Sequence, residues 1–296
     1  MRIDLLGSAA ALPDPDRNHT GIAVTVEGRT YLVDCGHGTT RQMMRNNLDH
    51  VAVDHVFLTH LHYDHIADFG YFMISSWMCD RPNAPIVFGP PGTAEFIGHL
   101  LEGGVYDVDI RARAKYPKRQ GNLHVLRPEV RPIAPGLVYE DDLVRVTAAP
   151  ADHIPPEICE CYALRFDAGG KSFVYSSDTR PVEAIERLAE GVDLLVHDCT
   201  FPRSALEFRD KVGVGTSAHT SPADLGTLAA RAGVKALVPY HFGHFDTTNP
   251  LLRRHLALHM PIEIVGPDLF EEVVADLRQS YDGPVHLARD GLRFDL

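Results

Sequence analysis

The stretch Thr59–Ile66 concentrates metal-binding chemistry, because three histidines and one aspartate lie within six positions. An extended backbone at His60–His62 would place both imidazoles on one side, since side chains alternate along a strand. A structural histidine is the ordinary alternative in a chain with 17 of them, but this spacing favours metal ligands. One ion cannot easily use all four groups, so we expect two adjacent zinc ions, with manganese or iron as substitutes. Two ions that share a water support hydrolysis.

Three further candidate ligands follow predicted strands. His153 comes after the strand predicted at 143–148, Asp178 after 172–175, and His241 after 235–238. The carboxyl ends of strands are where an α/β sheet gathers its site. The alternative for Asp178 is a helix cap. Our assignment places His60, His62 and His153 on one ion, Asp64, His65 and His241 on the second, and Asp178 as the bridge between them.

The hydrophobic pattern predicts the elements that must position these groups. Strands are expected at 22–26, 30–33, 56–58, 85–88, 143–148, 162–166, 172–175, 193–196 and 235–239, and helices at 38–46, 68–78, 93–101, 181–189 and 221–232. A β-rich part followed by βα units occurs twice. This order predicts an α/β fold, an αββα sandwich of two mixed sheets flanked by helices. Neither a linker nor a low-complexity tract interrupts residues 1–296, so we expect a single domain.

Composition narrows the function classes. A net charge of −12 and a pI near 5.7 argue against nonspecific nucleic-acid binding. The only basic cluster, 110–119, carries five cationic residues and is interpreted as a solvated loop or hairpin arm, with a substrate contact as the alternative. Neither a membrane-spanning run nor a secretory signal is recognised. Five scattered cysteines favour a reducing cytoplasm, and we interpret Cys159 and Cys161 as strand alternation rather than ligands.

Further motifs surround the candidate ligands in order: Gly7–Pro13, Asp34–Thr39, His60–His65, Leu195–Phe201 and Ala218–Ser221. From residue 1 to residue 246 this order resembles the metallo-β-lactamase superfamily and, within it, the ribonuclease Z and arylsulfatase-like branch. The resemblance implies that Asp198 and His219 form a pair that protonates the leaving oxygen. The alternative is that Asp198 caps a turn and His219 caps the following helix. We therefore take Asp64, His219 and Asp198 as the catalytic residues, with Asp34 orienting a ligand histidine.

Departures from that branch bear on the substrate. Its transfer-RNA processing members usually carry a long arm between the ligands at the positions of His153 and Asp178, whereas 24 residues separate them here. His37 and Asp198 stand where glutamate is usual, and Phe242–Phe245 replaces a Phe-Ser-x-Arg-Tyr run. Together with the negative charge, these differences favour a small substrate over RNA.

The favoured hypothesis is a dinuclear zinc hydrolase that cleaves phosphodiester, sulfate or carboxylic ester bonds of a small molecule. The first alternative is a transfer-RNA 3′-end processing endoribonuclease, the second a lactonase or thioesterase, and the last a non-catalytic metal-binding protein. The resemblance also implies a homodimer. Tyr63 and Tyr71 are expected to line the substrate pocket, and Trp77 to belong to the core.

Overall fold

The first of two β-sheets contains the strands of the amino-terminal half. The computed structural model describes residues 1–213, 218–257, 260–261, 263 and 265–296. Along the chain this sheet comprises β1 (Arg2–Gly7), β2 (Gly21–Val26), β3 (Arg29–Val33), β4 (His55–Phe57), β5 (Ile86–Gly89), β6 (Glu129–Pro132) and β13 (Arg293–Asp295). Their spatial order is β13-β1-β2-β3-β4-β5-β6, and β3 to β6 run parallel.

The second sheet contains the remaining strands: β7 (Gly136–Glu140), β8 (Arg145–Ala151), β9 (Cys161–Ala168), β10 (Lys171–Tyr175), β11 (Leu194–Asp198) and β12 (Leu237–Tyr240). Their order is β12-β11-β10-β9-β8-β7. Strands β10, β11 and β12 are parallel, and β9 is antiparallel to both β8 and β10. Strands β8, β10, β11 and β12 therefore all end at the same edge of this sheet.

Helices occupy the connections between strands. They are α1 (Thr39–Arg45), α2 (Tyr63–Ile66), α3 (Phe69–Met78), α4 (Thr93–Leu101), α5 (Asp107–Arg113), α6 (Pro117–Gln120), α7 (Glu183–Leu188), α8 (Arg203–Lys211), α9 (Pro222–Arg231), α10 (Pro250–Leu256) and α11 (Leu269–Leu277). In the part of the chain that is described, no helix is long and apolar enough to cross a membrane. Two mixed sheets flanked by helices confirm the αββα prediction.

The first sheet is buried on both faces, which explains its apolar strands. In β2, Ile22 and Val24 face the second sheet, whereas Ala23 belongs to a separate apolar cluster that includes α3 residues such as Trp77. Between the sheets, the rings of Phe57 and Phe166 lie 5.6 Å apart, edge to face. Alternation on a strand covered from both sides removes the polar face that an exposed sheet would show. Trp77 is fully buried, as expected.

The basic segment 110–119 consists mostly of two short helices, joined by a turn at 114–116, rather than of a loop or hairpin arm. Arg111 and Arg113 each pair with an aspartate four residues earlier in α5, at 2.8 Å, and such pairs stabilise a helix. In α6, Lys118 and Arg119 both contact Asp80 at the end of α3. Four of the five cations are thus neutralised within the chain, which argues against a substrate contact. The sequence prediction overlooked the pairs at a spacing of four residues, and the pairs of Lys118 and Arg119 carried no local signal, because Asp80 lies 38 and 39 residues away.

The β9–β10 connection is a tight hairpin, as predicted. Gly169 and Gly170 form the turn with positive φ angles of 57° and 74°, as a two-residue hairpin turn of type I′ requires of both central residues. The chain between His153 and Asp178 therefore contains two paired strands and a short turn instead of an extended arm.

Candidate metal centre

The candidate ligands meet at the edge where β8, β10, β11 and β12 end. His153 follows β8, Asp178 follows β10, and His241 comes directly after β12. The loop after β4 brings His60 and His62 to the same place from the first sheet. Neither lies on a strand, but the backbone at His62 is extended, with φ −65° and ψ 145°, and the two rings are 4.9 Å apart.

One group of side chains comprises His60, His62, His153 and Asp178, with one ligand atom of each within 4.8 Å of the others. His153 Nε2 lies 3.1 Å from His62 Nδ1 and 3.6 Å from Asp178 Oδ2. The other nitrogen of His153, Nδ1, donates a hydrogen bond to the Ala218 carbonyl at 3.0 Å. That bond leaves Nε2 as the metal-facing atom.

A second group comprises Asp64, His65, Asp178 and His241, again with ligand atoms within 4.8 Å. His241 Nε2 lies 3.2 Å from Asp64 Oδ2 and 3.3 Å from Asp178 Oδ2, and His65 Nε2 lies 3.4 Å from Asp178 Oδ1. Asp178 belongs to both groups. The structure thus brings together the side chains that we assigned to each ion, and the assignment of ligands itself stays a prediction.

The donor set fits divalent cations. His60 Nε2, His65 Nε2 and Asp178 Oδ1 are buried and have no hydrogen-bond partner among the described residues. Leaving such atoms unsatisfied is costly, and imidazole nitrogens with carboxylate oxygens are the donors that zinc takes. Cys159 and Cys161 are free thiols and belong to none of the metal-competent groups found in the described ranges.

Asp34 positions the ligand loop, as the sequence suggested. Its Oδ2 accepts hydrogen bonds from His65 Nδ1 and from the Thr59 hydroxyl, both at 2.8 Å, and its Oδ1 accepts from the Thr59 amide at 2.8 Å. A carboxylate on the far nitrogen of a ligand histidine fixes its tautomer and ring orientation. The Ser177 hydroxyl lies 3.3 Å from His60 Nδ1 and supports the second imidazole in the same way.

The backbone is strained beside these ligands. Asp34, Ser177 and His241 have φ angles of 55°, 58° and 60°, in the left-handed region that favours glycine. Each comes directly after a strand or close to its end. Residues held in this conformation cost free energy and persist where surrounding structure imposes them, often at functional sites.

Protonation equilibria favour the ligand forms of most of these groups. Burial lowers the pKa of His60, His62 and His153, so their imidazoles are neutral. Burial would raise the pKa of Asp178, but the neighbouring histidines, His241 foremost, hold it well below its usual range. His65 differs, because Asp178 and Asp34 outweigh its burial and raise its pKa well above normal. Metal binding at His65 would therefore release a proton.

Asp198 and His219 form a hydrogen-bonded pair next to the ligand groups. His219 Nδ1 lies 2.7 Å from Asp198 Oδ2, and its ring is 5.0 Å from that of His153 and 5.6 Å from that of His241. Burial alone would lower the pKa of His219, but Asp198 raises it to about 9. Ser221, not His219, caps α9 through its hydroxyl, so the capping alternative for His219 was wrong.

A cavity of about 280 Å³ opens over the candidate ligands. Its other walls include Leu12, Phe201, Arg209, Leu256 and Met260. Tyr71 is not among the lining residues, and the Tyr63 hydroxyl instead bonds the Ala11 carbonyl, so the pocket role expected for these tyrosines was wrong. Phe201 ended a motif noted in the sequence, whereas Arg209, Leu256 and Met260 carried no sequence signal.

Known proteins resemble this chain along most of its length. The family model for the beta-lactamase superfamily domain matches residues 29–242. A ribonuclease Z from Mycobacterium marinum is 34% identical over 247 residues, covering 82% of this chain and 86% of that protein. A ribonuclease Z from Methanothermobacter thermautotrophicus is 30% identical over 314 residues, covering 91% and 95%.

Solved structures with lower identity share the fold. The metallo-beta-lactamase fold protein YhfI from Bacillus subtilis superposes with a TM-score of 0.71 at 18% identity, covering 99% of this chain and 98% of that one. The short form of human tRNase Z gives 0.69 at 19%, covering 100% and 99%. The sequence relatives extend along most of the chain. The protein therefore belongs to the metallo-β-lactamase superfamily, in its ribonuclease Z branch.

Proposed function

We propose that this protein is a metal-dependent endoribonuclease of the ribonuclease Z type, which hydrolyses a phosphodiester bond at the 3′ end of precursor transfer RNA. The superfamily is one of hydrolases, and the relatives named ribonuclease Z favour RNA over the small ester that the sequence suggested. The observation that carries the proposal is the Asp198–His219 pair, 2.7 Å apart, beside the candidate ligands. Hydrolysis of an RNA phosphodiester needs such a proton donor, because an alkoxide is a poor leaving group until it is protonated.

The metal content is part of the proposal. We assign two zinc ions, one to the group of His60, His62 and His153 and one to the group of Asp64, His65 and His241, with Asp178 between them. When bound, the ions would make hydroxide available near neutral pH and stabilise the negative charge that develops on the phosphoryl group.

The chain's own residues hold and move protons around that centre. The Asp198 carboxylate accepts the hydrogen bond from His219 Nδ1, which leaves Nε2 to deliver a proton to the leaving oxygen. The Thr200 hydroxyl donates to Asp198 Oδ1 at 2.7 Å, and the Thr179 amide donates to Asp198 Oδ2 at 2.9 Å. Both bonds hold the carboxylate in place, so the imidazole is oriented before substrate arrives.

The test compares two substrates with the zinc-loaded protein: precursor transfer RNA and bis(p-nitrophenyl) phosphate. We expect cleavage of the RNA beside the discriminator base, and slower hydrolysis of the aryl phosphodiester. Hydrolysis of the small substrate with intact RNA would contradict the proposal.

That contrary outcome would favour the second candidate, a phosphodiesterase or related esterase for small molecules. The β9–β10 hairpin supports this candidate, because a tight turn at Gly169 and Gly170 stands in the interval where transfer-RNA processing members of the branch usually carry an arm. Faster turnover of a lactone or thioester than of any phosphodiester would favour the carbonyl alternative instead.

We further propose that residues 1–296 form one domain that acts as a homodimer in the cytoplasm. The apolar core shared by the two sheets supports the single domain, and the family resemblance supports the dimer. Sedimentation equilibrium of the pure protein tests the dimer, and a monomer at micromolar concentration would contradict it.

A further inference from the structure

Among the described residues, Arg209 on α8 is the one arginine or lysine that lines the cavity. Arg209 places its guanidinium carbon 4.5 Å from the centre of the Phe201 ring, in a cation–π contact. The loop after His241 contributes glycine and histidine to the same cavity but no arginine. The positive charge of this wall therefore comes from a helix remote in sequence from the candidate ligands.

The Phe201 ring lies between Arg209 and His219, the proposed proton donor, and contacts both. The Phe201 ring contacts the His219 ring edge to face, with centroids 6.2 Å apart, and the guanidinium lies against Phe201. His219 in turn lies beside His241. A substrate whose leaving oxygen faces His219 would therefore extend its leaving group towards Phe201 and Arg209.

We propose that Arg209 is a substrate-binding residue that contacts a phosphate of the RNA strand on the leaving-group side of the scissile bond. The inference rests on the function proposed above. A planar guanidinium binds phosphate oxygens through two parallel N–H donors, and contact with an aromatic ring restricts its plane. Partial burial against Phe201 strengthens the attraction, because solvent screens the charge less.

The chemistry separates this role from a contact with the reacting phosphate. Bis(p-nitrophenyl) phosphate has a single phosphate, whereas an RNA strand presents a second one on the leaving side. Loss of Arg209 is therefore expected to weaken RNA binding, and to lower kcat/KM for RNA about tenfold more than kcat/KM for the aryl phosphodiester. An arginine that touched the reacting phosphate would be needed for both substrates.

The experiment measures binding of a short fluorescein-labelled RNA with phosphorothioate linkages, which keep their charge and resist cleavage, to the zinc-loaded protein. Arg209→Gln is expected to weaken binding about tenfold, and to reduce the slope of log K against log salt by about 0.7, the value for one single-strand phosphate contact. Arg209→Lys keeps the charge, so it is expected to restore the salt slope and part of the affinity.

Arg111→Gln is the matched control, because it removes the same charge from the exposed face of α5, where Arg111 pairs with Asp107. Its RNA affinity is expected to equal that of the unmodified protein. Equal binding by Arg209→Gln and the unmodified protein, an equal loss in Arg111→Gln, or undetectable RNA binding by the unmodified protein would overturn the proposal. Failure to cleave unmodified RNA, with Arg209-dependent binding retained, would instead contradict only the proposed function. Melting temperatures show whether the variants fold.

Discussion

Two carboxylates at opposite edges of the second sheet, the partly buried Asp141 and the buried Asp178, show how a structural polar cluster differs from a candidate site. Asp141 precedes β8, and Asp178 follows β10, which runs parallel to β8. Asp141 Oδ1 accepts from the amides of Leu143 and Val144 at 2.8 Å each, and Oδ2 accepts from Arg29, Tyr31 and Tyr139. Asp178 is surrounded by histidines, yet its Oδ1 has no hydrogen-bond partner among the described residues.

The two carboxylates differ in whether both oxygens accept hydrogen bonds, and not in their charge. For both carboxylates, burial alone would raise the pKa and the neighbouring groups lower it instead. A perturbed pKa therefore does not distinguish them. The cluster around Asp141 is complete without a ligand, whereas the groups around Asp178 leave nitrogen and oxygen atoms facing one another, as a cation would require. Four substitutions test this contrast, in decreasing order of expected effect on activity.

Asp178→Asn is expected to abolish turnover and to reduce bound zinc well below two ions per chain, because both ligand groups lose their shared carboxylate. Elemental analysis and a hydrolysis assay check this. Zinc is expected to raise the melting temperature of the unmodified protein, since an ion that binds only the folded state stabilises it, and this rise is expected to disappear in the variant. Two zinc ions per chain in Asp178→Asn would show that Asp178, like Asp141, is not needed for metal binding.

His219→Ala is expected to lower kcat for precursor transfer RNA by about 10²–10⁴-fold, because the variant loses a proton donor. Its zinc content is expected to stay unchanged, because His219 is not a ligand in our assignment. Steady-state kinetics and elemental analysis of the same preparation separate the two. A parallel loss of metal would show that His219 is a ligand, as its proximity to Asp198 and His241 would also allow.

Asp34→Asn is expected to weaken zinc affinity by about 10–100-fold, because the amide replaces the charged partner of His65 Nδ1 and ligand orientation is lost. Competition with a chelator measures the affinity, and excess zinc is expected to restore most of the activity. An unchanged zinc affinity would mean that Asp34 only holds Thr59 in place and does not orient His65.

Asp141→Asn is expected to leave zinc content and kcat unchanged and to lower the free energy of unfolding by about 2 kcal/mol at pH 7, because an amide cannot replace both oxygens as acceptors. The Asp141 pKa is lower in the folded protein than in the unfolded chain. Its contribution is therefore fully present above the unfolded pKa of about 3.9 and is lost as pH falls below that value. Urea unfolding of both proteins at pH 7 and pH 3 measures this, and a difference that stayed constant would contradict it.

Local sequence patterns were sufficient to predict the fold class and the candidate ligands. The apolar runs that became β10 and β11 are bounded by turn residues, and strands covered on both faces need apolar side chains throughout. His60, His62 and His65 are recognisable because metal chemistry restricts residue type and spacing. The prediction that His153, Asp178 and His241 join them followed from the rule that sites gather where strands end.

Other features arose only when distant segments packed together. The helical form of 110–119 depends partly on Asp80, and the cavity wall depends on α8 placing Arg209 against Phe201. The left-handed backbone at Ser177 and His241 is imposed by surrounding structure rather than favoured by these residue types. The sequence by itself thus determined which groups can bind metal. The tertiary structure decided which other side chains line the cavity over those groups. No sequence pattern predicts these contacts, because they join residues that are distant along the chain.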